Sequence, residues 1–202
     1  VYVDLAAPAV PTGLELTEPA GMNIGGALYT ADETPKVKWD AVGDADLDHY
    51  VVEIDGQAWI TVLAPDTSYT FSEGLADGDH TVKVKAVDEL GNDSDYSDPL
   101  HFTVDTTPPA VPGMPQTTSP TKNQSPVWTW GTVADAAKYR VFEDEVDKGF
   151  VTATTYTSDN LAEGTHYLQV TALDALSNES AKSEAGYVVI DLTPPGAPVM
   201  KT

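Results

Sequence analysis

The sequence predicts an all-β fold of two tandem seven-stranded β-sandwiches, and three observations carry that expectation. A twenty-residue block recurs at a fixed offset, apolar residues alternate with period two rather than 3.6, and Gly/Asx turn signals separate the alternating runs. The recurring block is LADGDHTVKVKAVDELGNDS from Leu75 to Ser94. It aligns with LAEGTHYLQVTALDALSNES from Leu161 to Ser180 at an offset of 161 − 75 = 86, with ten identities. The same offset carries Val104-Asp105-Thr106-Thr107-Pro108-Pro109 onto Ile190-Asp191-Leu192-Thr193-Pro194-Pro195. A weaker third copy, Val3-Asp4-Leu5-Ala6-Ala7-Pro8, opens the chain. The expected organisation is therefore module 1 over residues 4–104, module 2 over 105–191 with the boundary at Asp105, and the start of a further linker over 192–202. It reads as a piece of a longer array.

In module 1, strands are expected at 14–17, 36–40, 50–55, 59–63, 68–71, 81–87 and 100–104. Val82, Val84 and Ala86 point to one face, and Lys83 and Lys85 to the other, as in a sheet with one wet face. Module 2 repeats the pattern at 127–130, 139–142, 150–152, 155–157, 167–173 and 187–190. Turns are expected at Asp55-Gly56, Asp77-Gly78, Gly91-Asn92 and Gly164. About seven short strands in roughly 90 to 100 residues is a sandwich count.

Trp39 followed by Tyr50, and Trp130 followed by Tyr139, resemble the core aromatics of strands B and C in fibronectin type III and bacterial immunoglobulin-like domains. The Leu75-to-His80 run, the turn from Ala86 to Asn92 and the closing Val-Asp-Thr-Thr-Pro-Pro resemble tandem modules of very large bacterial surface adhesins, including repeats-in-toxin and ice-binding adhesins. Similar modules also act as spacers in secreted polysaccharide-degrading enzymes. The resemblance implies an immunoglobulin-like fold and a bacterial cell-surface or secreted location. Module 2 departs from it in a shortened early region and in Ser177, which stands where module 1 has Gly91.

Composition excludes several function classes. The 32 acidic and 10 basic side chains leave a net charge of -22, and without clustered Lys and Arg the chain has no grip on phosphate backbones. Nucleic acid and direct membrane insertion are therefore not expected, and no apolar run is long enough to span a bilayer. The absence of cysteine removes disulfides, thiolate metal sites and cysteine nucleophiles. No Gly-x-Ser-x-Gly elbow, phosphate loop or His-Glu-x-x-His is present. His80 and His166 occupy equivalent positions at the start of a strand, where a packing role is expected, and the protein reads as a non-enzyme.

Three features remain as binding candidates. Trp59, in an expected edge-side strand, is the candidate for stacking on a glycan, with Phe150 nearby in pattern; Trp128 and Trp130 share a face and are expected inside. Asp44, Asp46 and Asp48, with Asp40 before them, have the Asp-x-Asp-x-Asp spacing that aims carboxylates at calcium when the backbone curls, although His49 and the absence of helices exclude an EF-hand. Strand parity supplies the third candidate: seven antiparallel strands put the termini at opposite poles. The middle junction is then expected to gather Asp77, Asp79, Asp105, Asp174 and Asn178 around calcium. Asn92-Asp93-Ser94 and Asn178-Glu179-Ser180 fit the glycosylation acceptor pattern, but a turn role explains them more simply.

The expected function is an extracellular spacer or extender pair of a bacterial adhesin, stiffened by proline-rich linkers and calcium, with neighbouring modules of the same chain as its partners and a monomeric state. The alternative is an accessory or carbohydrate-binding pair in a secreted polysaccharide-degrading enzyme, with a glycan as partner.

Overall fold

The computed structural model describes residues 6–18 and 21–196, without the side chains of Glu18, Ala58 and Trp59. The opening Val3-to-Leu5 part of the third linker copy and residues 197–202 lie outside the described residues. All regular structure among the described residues is strand, and none is a helix long and apolar enough to cross a membrane. The chain divides into unit 1, Val1–Thr107, and unit 2, Pro108–Thr202.

Unit 1 carries nine strands: β1 Glu15–Glu18, β2 Met22–Ile24, β3 Ala27–Thr30, β4 Lys36–Lys38, β5 Leu47–Ile54, β6 Ala58–Leu63, β7 Ser68–Thr70, β8 Gly78–Asp88 and β9 Leu100–Val104. They form a three-stranded sheet in the order β1-β4-β7 and a six-stranded sheet in the order β2-β3-β9-β8-β5-β6. The expected seven strands are all present. The two additional ones form the β2–β3 hairpin, which turns at Gly25 and Gly26, both at positive φ, and joins the large sheet through a parallel pairing of Tyr29 with Thr103 and Thr30 with Val104. Three- and four-residue strands are too short to show alternation, so local pattern does not reveal them.

Unit 2 carries six strands: β10 Val127–Thr129, β11 Lys138–Glu143, β12 Val146–Val151, β13 Thr155–Thr157, β14 Gly164–Leu173 and β15 Gly186–Ile190. They form sheets β10-β13 and β12-β11-β14-β15. The seventh position is a chain segment that makes two isolated bridges, Gln116 antiparallel to Thr129 in the small sheet and Thr121 parallel to Ile190 in the large one. The first segment of each unit thus moves from one sheet to the other.

Each unit has its own core. In unit 1, Val37, Trp39, Tyr50, Val52, Val82, Val84, Ala86 and Val104 are buried together; in unit 2, Trp128, Trp130, Tyr139, Val141, Leu168, Val170, Ala172 and Ile190. Trp128 occupies the register position of Val37, since the two pair with Tyr156 and Tyr69 respectively. The Trp39–Tyr50 rings meet edge to face at 5.3 Å, and those of Trp130–Tyr139 at 5.6 Å. Each tyrosine hydroxyl accepts a hydrogen bond from a loop amide, Val42 N or Val133 N, at 2.9 Å. The aromatic pair therefore anchors the loop between its two strands as well as filling the core.

The edge of β8 beyond β9 is closed by serines. Ser97 and Ser94 accept through Oγ from Val84 N and Ala86 N, and Ser183 and Ser180 do the same for Val170 N and Ala172 N. Buried amides that the short strand β9 or β15 does not reach are thereby satisfied.

Trp39→Ala is expected to cost about 3–5 kcal/mol, the range for truncating a buried aromatic. Denaturant unfolding checks this, and a loss below about 1 kcal/mol would contradict the core placement.

Candidate functional site

The chemistry of this chain sits at the polar ends of the sandwiches, where acidic side chains accept hydrogen bonds from chain segments arriving and leaving. Pairing of Gly78 with Val104 sets Asp77 beside the exit from β9. Asp77 Oδ1 accepts from Thr106 N (2.9 Å) and Thr106 Oγ1 (2.8 Å), and Oδ2 accepts from the Thr107 hydroxyl. The Thr107 and Thr106 bonds hold the Asp77 carboxyl below its ordinary range. In unit 2, Glu163 stands at the position of Asp77 and accepts from the Thr193 hydroxyl. Asp105 and Asp191 each accept from the amide two residues on, at 3.1 and 3.0 Å. Thr106 and Thr107 thus belong to unit 1, and the division falls after Thr107 rather than at the expected Asp105. At the entry to unit 1, Ala9 N donates to Asp44 Oδ2 and Thr12 Oγ1 to Asp40 Oδ2, both at 3.0 Å.

The two equivalent histidines tie corners. His80 Nδ1 lies 2.8 Å from Asp55 Oδ2 and its Nε2 2.8 Å from the Ala76 carbonyl, while Asp55 Oδ1 accepts from Thr81 N. His166 repeats this with Asp144 and Ala162, and Asp144 accepts from Tyr167 N. Burial disfavours the charged His80 ring, but the Ala76 carbonyl and Asp55 outweigh it and raise its pKa. For His166 the Asp144 bond is the leading cause of a raised value. Asp55 and Asp144 both sit at positive φ in the hairpin turn, a conformation that Asp tolerates better than most residues.

The turns after β8 and β14 are equivalent despite the exchange of Gly91 for Ser177. Both residues have positive φ, 86° and 74°, and both amides reach the carbonyl three residues back, Asp88 or Asp174. Asp88 accepts from Leu90 N, Asn92 N and Asn92 Nδ2, and Asp174 from Asn178 N and Asn178 Nδ2. The Asn92 side chain is the main cause of a lowered Asp88 pKa. Asn92 and Asn178 therefore close turns through the amide nitrogen that a glycan would need.

The expected metal ligands other than Asp46 have local partners for their side chains. Asp77 holds the linker, Asp79 Oδ1 accepts from Thr103 Oγ1 at 2.6 Å, and Asp105 braces Thr107, while Asp174 and Asn178 bond each other within one turn. Asp44, Asp46 and Asp48 do not close into a cradle. Asp44 turns to Ala9, Asp48 lies 2.7 Å from His49 Nδ1, and the Asp46 carbonyl accepts from Glu89 N. Strand β5 begins at Leu47, so Asp48 lies in extended chain, while Asp46 is in the turn before it and Asp44 precedes that turn. Among the described residues, no three His, Cys, Asp or Glu side chains are grouped to hold a metal. The backbone of Trp59 pairs with Glu53 at the edge of the large sheet, and its side chain lies outside the described residues. Trp128 and Trp130 are buried. Sequence reasoning missed the Asp77 and Glu163 contacts, although acid and threonine recur together at the 86-residue offset.

Residues 16–106 match the bacterial Ig-like domain family. No curated protein matches the chain. Among solved structures, it is similar to the fibronectin(III)-like modules of Clostridium thermocellum CbhA, with 13% identity, TM-score 0.54, and coverage of 93% of this chain and all of that one. It is also similar to the chicken CNTN1 FN1–FN3 domains, with 15% identity and TM-score 0.52 over 91% of this chain. The chain spans 65% of that CNTN1 fragment. At these identities the likeness establishes the fold: the modules are Ig- and fibronectin III-like β-sandwiches.

The corner histidines give a pH dependence of defined sign. Their folded pKa values lie above the ordinary 6.5, so their contribution is complete below about pH 6.5 and is lost as pH rises through the folded values. Asp77 and Asp88 work oppositely, their contribution being lost as pH falls below the ordinary 3.8 through their lower folded values. Stability is expected to fall between pH 6 and 9, with a shallower slope in a His80→Gln/His166→Gln double variant. Denaturant midpoints at the two pH values check this, and equal slopes would contradict it.

Proposed function

We propose that the two modules are non-catalytic spacer units of an extracellular bacterial protein of the surface-adhesin kind, whose task is to carry other domains away from an anchoring point. The observation that carries this reading is the acid–threonine clamp at the exit of each module. Asp77 with Thr106 and Thr107, and Glu163 with Thr193, fix the first linker residues to the sandwich. The prolines that follow have a restricted φ and lack an amide donor, so the linker begins from a fixed point and continues stiffly. A flexible tether needs neither device.

A second reading is accessory modules in a secreted polysaccharide-degrading enzyme, and the fold likeness to fibronectin(III)-like modules fits that setting as well as the first. In that setting the same clamps would space a catalytic domain.

Calcium belongs to this proposal on the net charge of -22, since nearly all the carboxylates expected to bind it have other partners. A divalent ion neutralises an acidic surface more effectively than sodium at equal ionic strength.

The clamp is tested with Asp77→Ala in the full chain. Amide hydrogen exchange at Thr106 and Thr107 is expected to accelerate while exchange in β8 stays unchanged; unchanged linker protection would remove the basis for a spacer. In parallel, calcium is expected to raise the melting temperature above that in sodium chloride of matched ionic strength, and coincident melts would remove calcium from the account.

A further inference from the structure

The outward faces of the two large sheets are built from corresponding positions with different chemistry. In unit 1, Glu53 on β5 pairs with Lys83 at 3.0 Å, and Lys83 lies 5.1 Å from the ring centroid of Tyr96. Lys85 is paired with Asp93. Burial and the Glu53 carboxylate push the Tyr96 hydroxyl up to about 12. The face is closed by its own charges. In unit 2 the register places Phe142 opposite Gln169 as Glu53 is opposite Lys83, and the 86-residue offset puts Lys182 where unit 1 has Tyr96. The cation–ring contact persists with its partners exchanged: Lys182 Nζ sits 3.7 Å from the Phe142 centroid. At the edge, Lys138 lies 4.9 Å from the Phe150 centroid. Among the described residues, neither Lys138 nor Lys182 makes a carboxylate contact within 4 Å, although Lys182 is near enough to Asp147 to help lower its carboxyl, whereas Arg140 is paired with Asp147 and Glu179.

The same face exposes rings. Tyr167 and Tyr187 are directly opposite each other on β14 and β15 and are 51% and 59% exposed, although both strands bury their intervening residues. The corresponding unit 1 residues are Thr81 and His101, which bond each other at 3.0 Å. Unit 2 therefore presents two adjacent amphipathic rings, each with a hydroxyl, on a sheet that also carries two lysines without ion-pair partners, in a chain of net charge -22.

We propose that this face of unit 2, β12-β11-β14-β15, is a binding surface for an anionic polysaccharide of the uronate class. Tyr167 and Tyr187 stack on successive sugar rings, since directly opposed cross-strand side chains stand about 5 Å apart at their Cβ atoms, close to the repeat of a pyranose chain. Lys182 and Lys138 supply the charge that selects carboxylate-bearing sugars over neutral ones. Their contacts with Phe142 and Phe150 hold the ammonium groups in place without neutralising them. The proposed glycan surface belongs to unit 2, whereas Trp59 belongs to β6 of unit 1.

Affinity electrophoresis of the full chain through gels containing polygalacturonate, with dextran gels as the neutral reference, tests this. The wild type is expected to be retarded by polygalacturonate only. Retardation should weaken about tenfold in Tyr167→Ala/Tyr187→Ala and roughly fivefold in Lys182→Glu. Thr81→Ala/His101→Ala, at the corresponding unit 1 positions, should behave as wild type. Circular dichroism melts establish that each variant is folded, and Lys138→Glu provides a second charge variant. No retardation by polygalacturonate, equal retardation by dextran, or retardation unchanged in the Tyr and Lys variants would each overturn the proposal. Concentration-dependent sedimentation abolished by the Tyr variant, without polysaccharide retardation, would assign the face to a second copy instead and likewise overturn it.

Discussion

The constraint on which this structure depends is that short strands leave many backbone donors unpaired at the ends of each sandwich, and ionised carboxylates accept from them. β9 and β15 are five residues each, against eleven in β8 and ten in β14, so a long strand runs past its partner at one end. Serines take the amides beside the overhang, Asp88 and Asp174 close the turns beyond it, Asp55 and Asp144 cap the hairpins, and Asp77 and Glu163 receive the departing chain. A charged acceptor forms a stronger hydrogen bond than a neutral one, and at an exposed strand end it keeps its hydration. Much of the acidity is thereby tied to local structure.

That division of labour separates the two modules chemically while keeping their frames equivalent. The frame repeats: the Trp–Tyr pair, the serine rungs, the corner histidine and the turn with a residue at positive φ occur in both. The outward surfaces do not repeat. One inward position also changes: Ile54, in the core of unit 1, gives way to Glu143 at the same register position in unit 2, where the buried carboxylate pairs with Lys148 at 3.2 Å. Lys83 and Tyr96 give way to Gln169 and Lys182. A sandwich whose ends are fixed by local acceptors tolerates the outward exchanges, because its core does not rely on them.

The strands were legible because the sheets are wet on one face, so Val82, Val84 and Ala86 alternate visibly with Lys83 and Lys85. The β2–β3 hairpin was not, since its short strands show no period and its pairing with β9 is parallel and distant in sequence. Strand β8 begins at Gly78 rather than at 81 because pairing with β9 continues as far as Gly78, the second residue of an Asp-Gly dipeptide that in isolation signals a turn. Acidic spacing alone does not reveal the local partners: Asp44 accepts from Ala9 N and Asp48 lies beside His49, contacts that depend on how the entering chain and β5 are placed. The exposed Tyr167 and Tyr187 are legible in the alternation with the buried Leu168 and Val188.

The central claim is that the carboxylates at the strand ends work as ionised hydrogen-bond acceptors. The direct measurement is the side-chain carboxyl ¹³C titration of Asp77 and Asp88 in the folded chain. Both are expected to titrate below the ordinary 3.8, Asp77 through its threonine donors and Asp88 through Asn92; values at or above 3.8 would show solvated carboxylates and contradict the account.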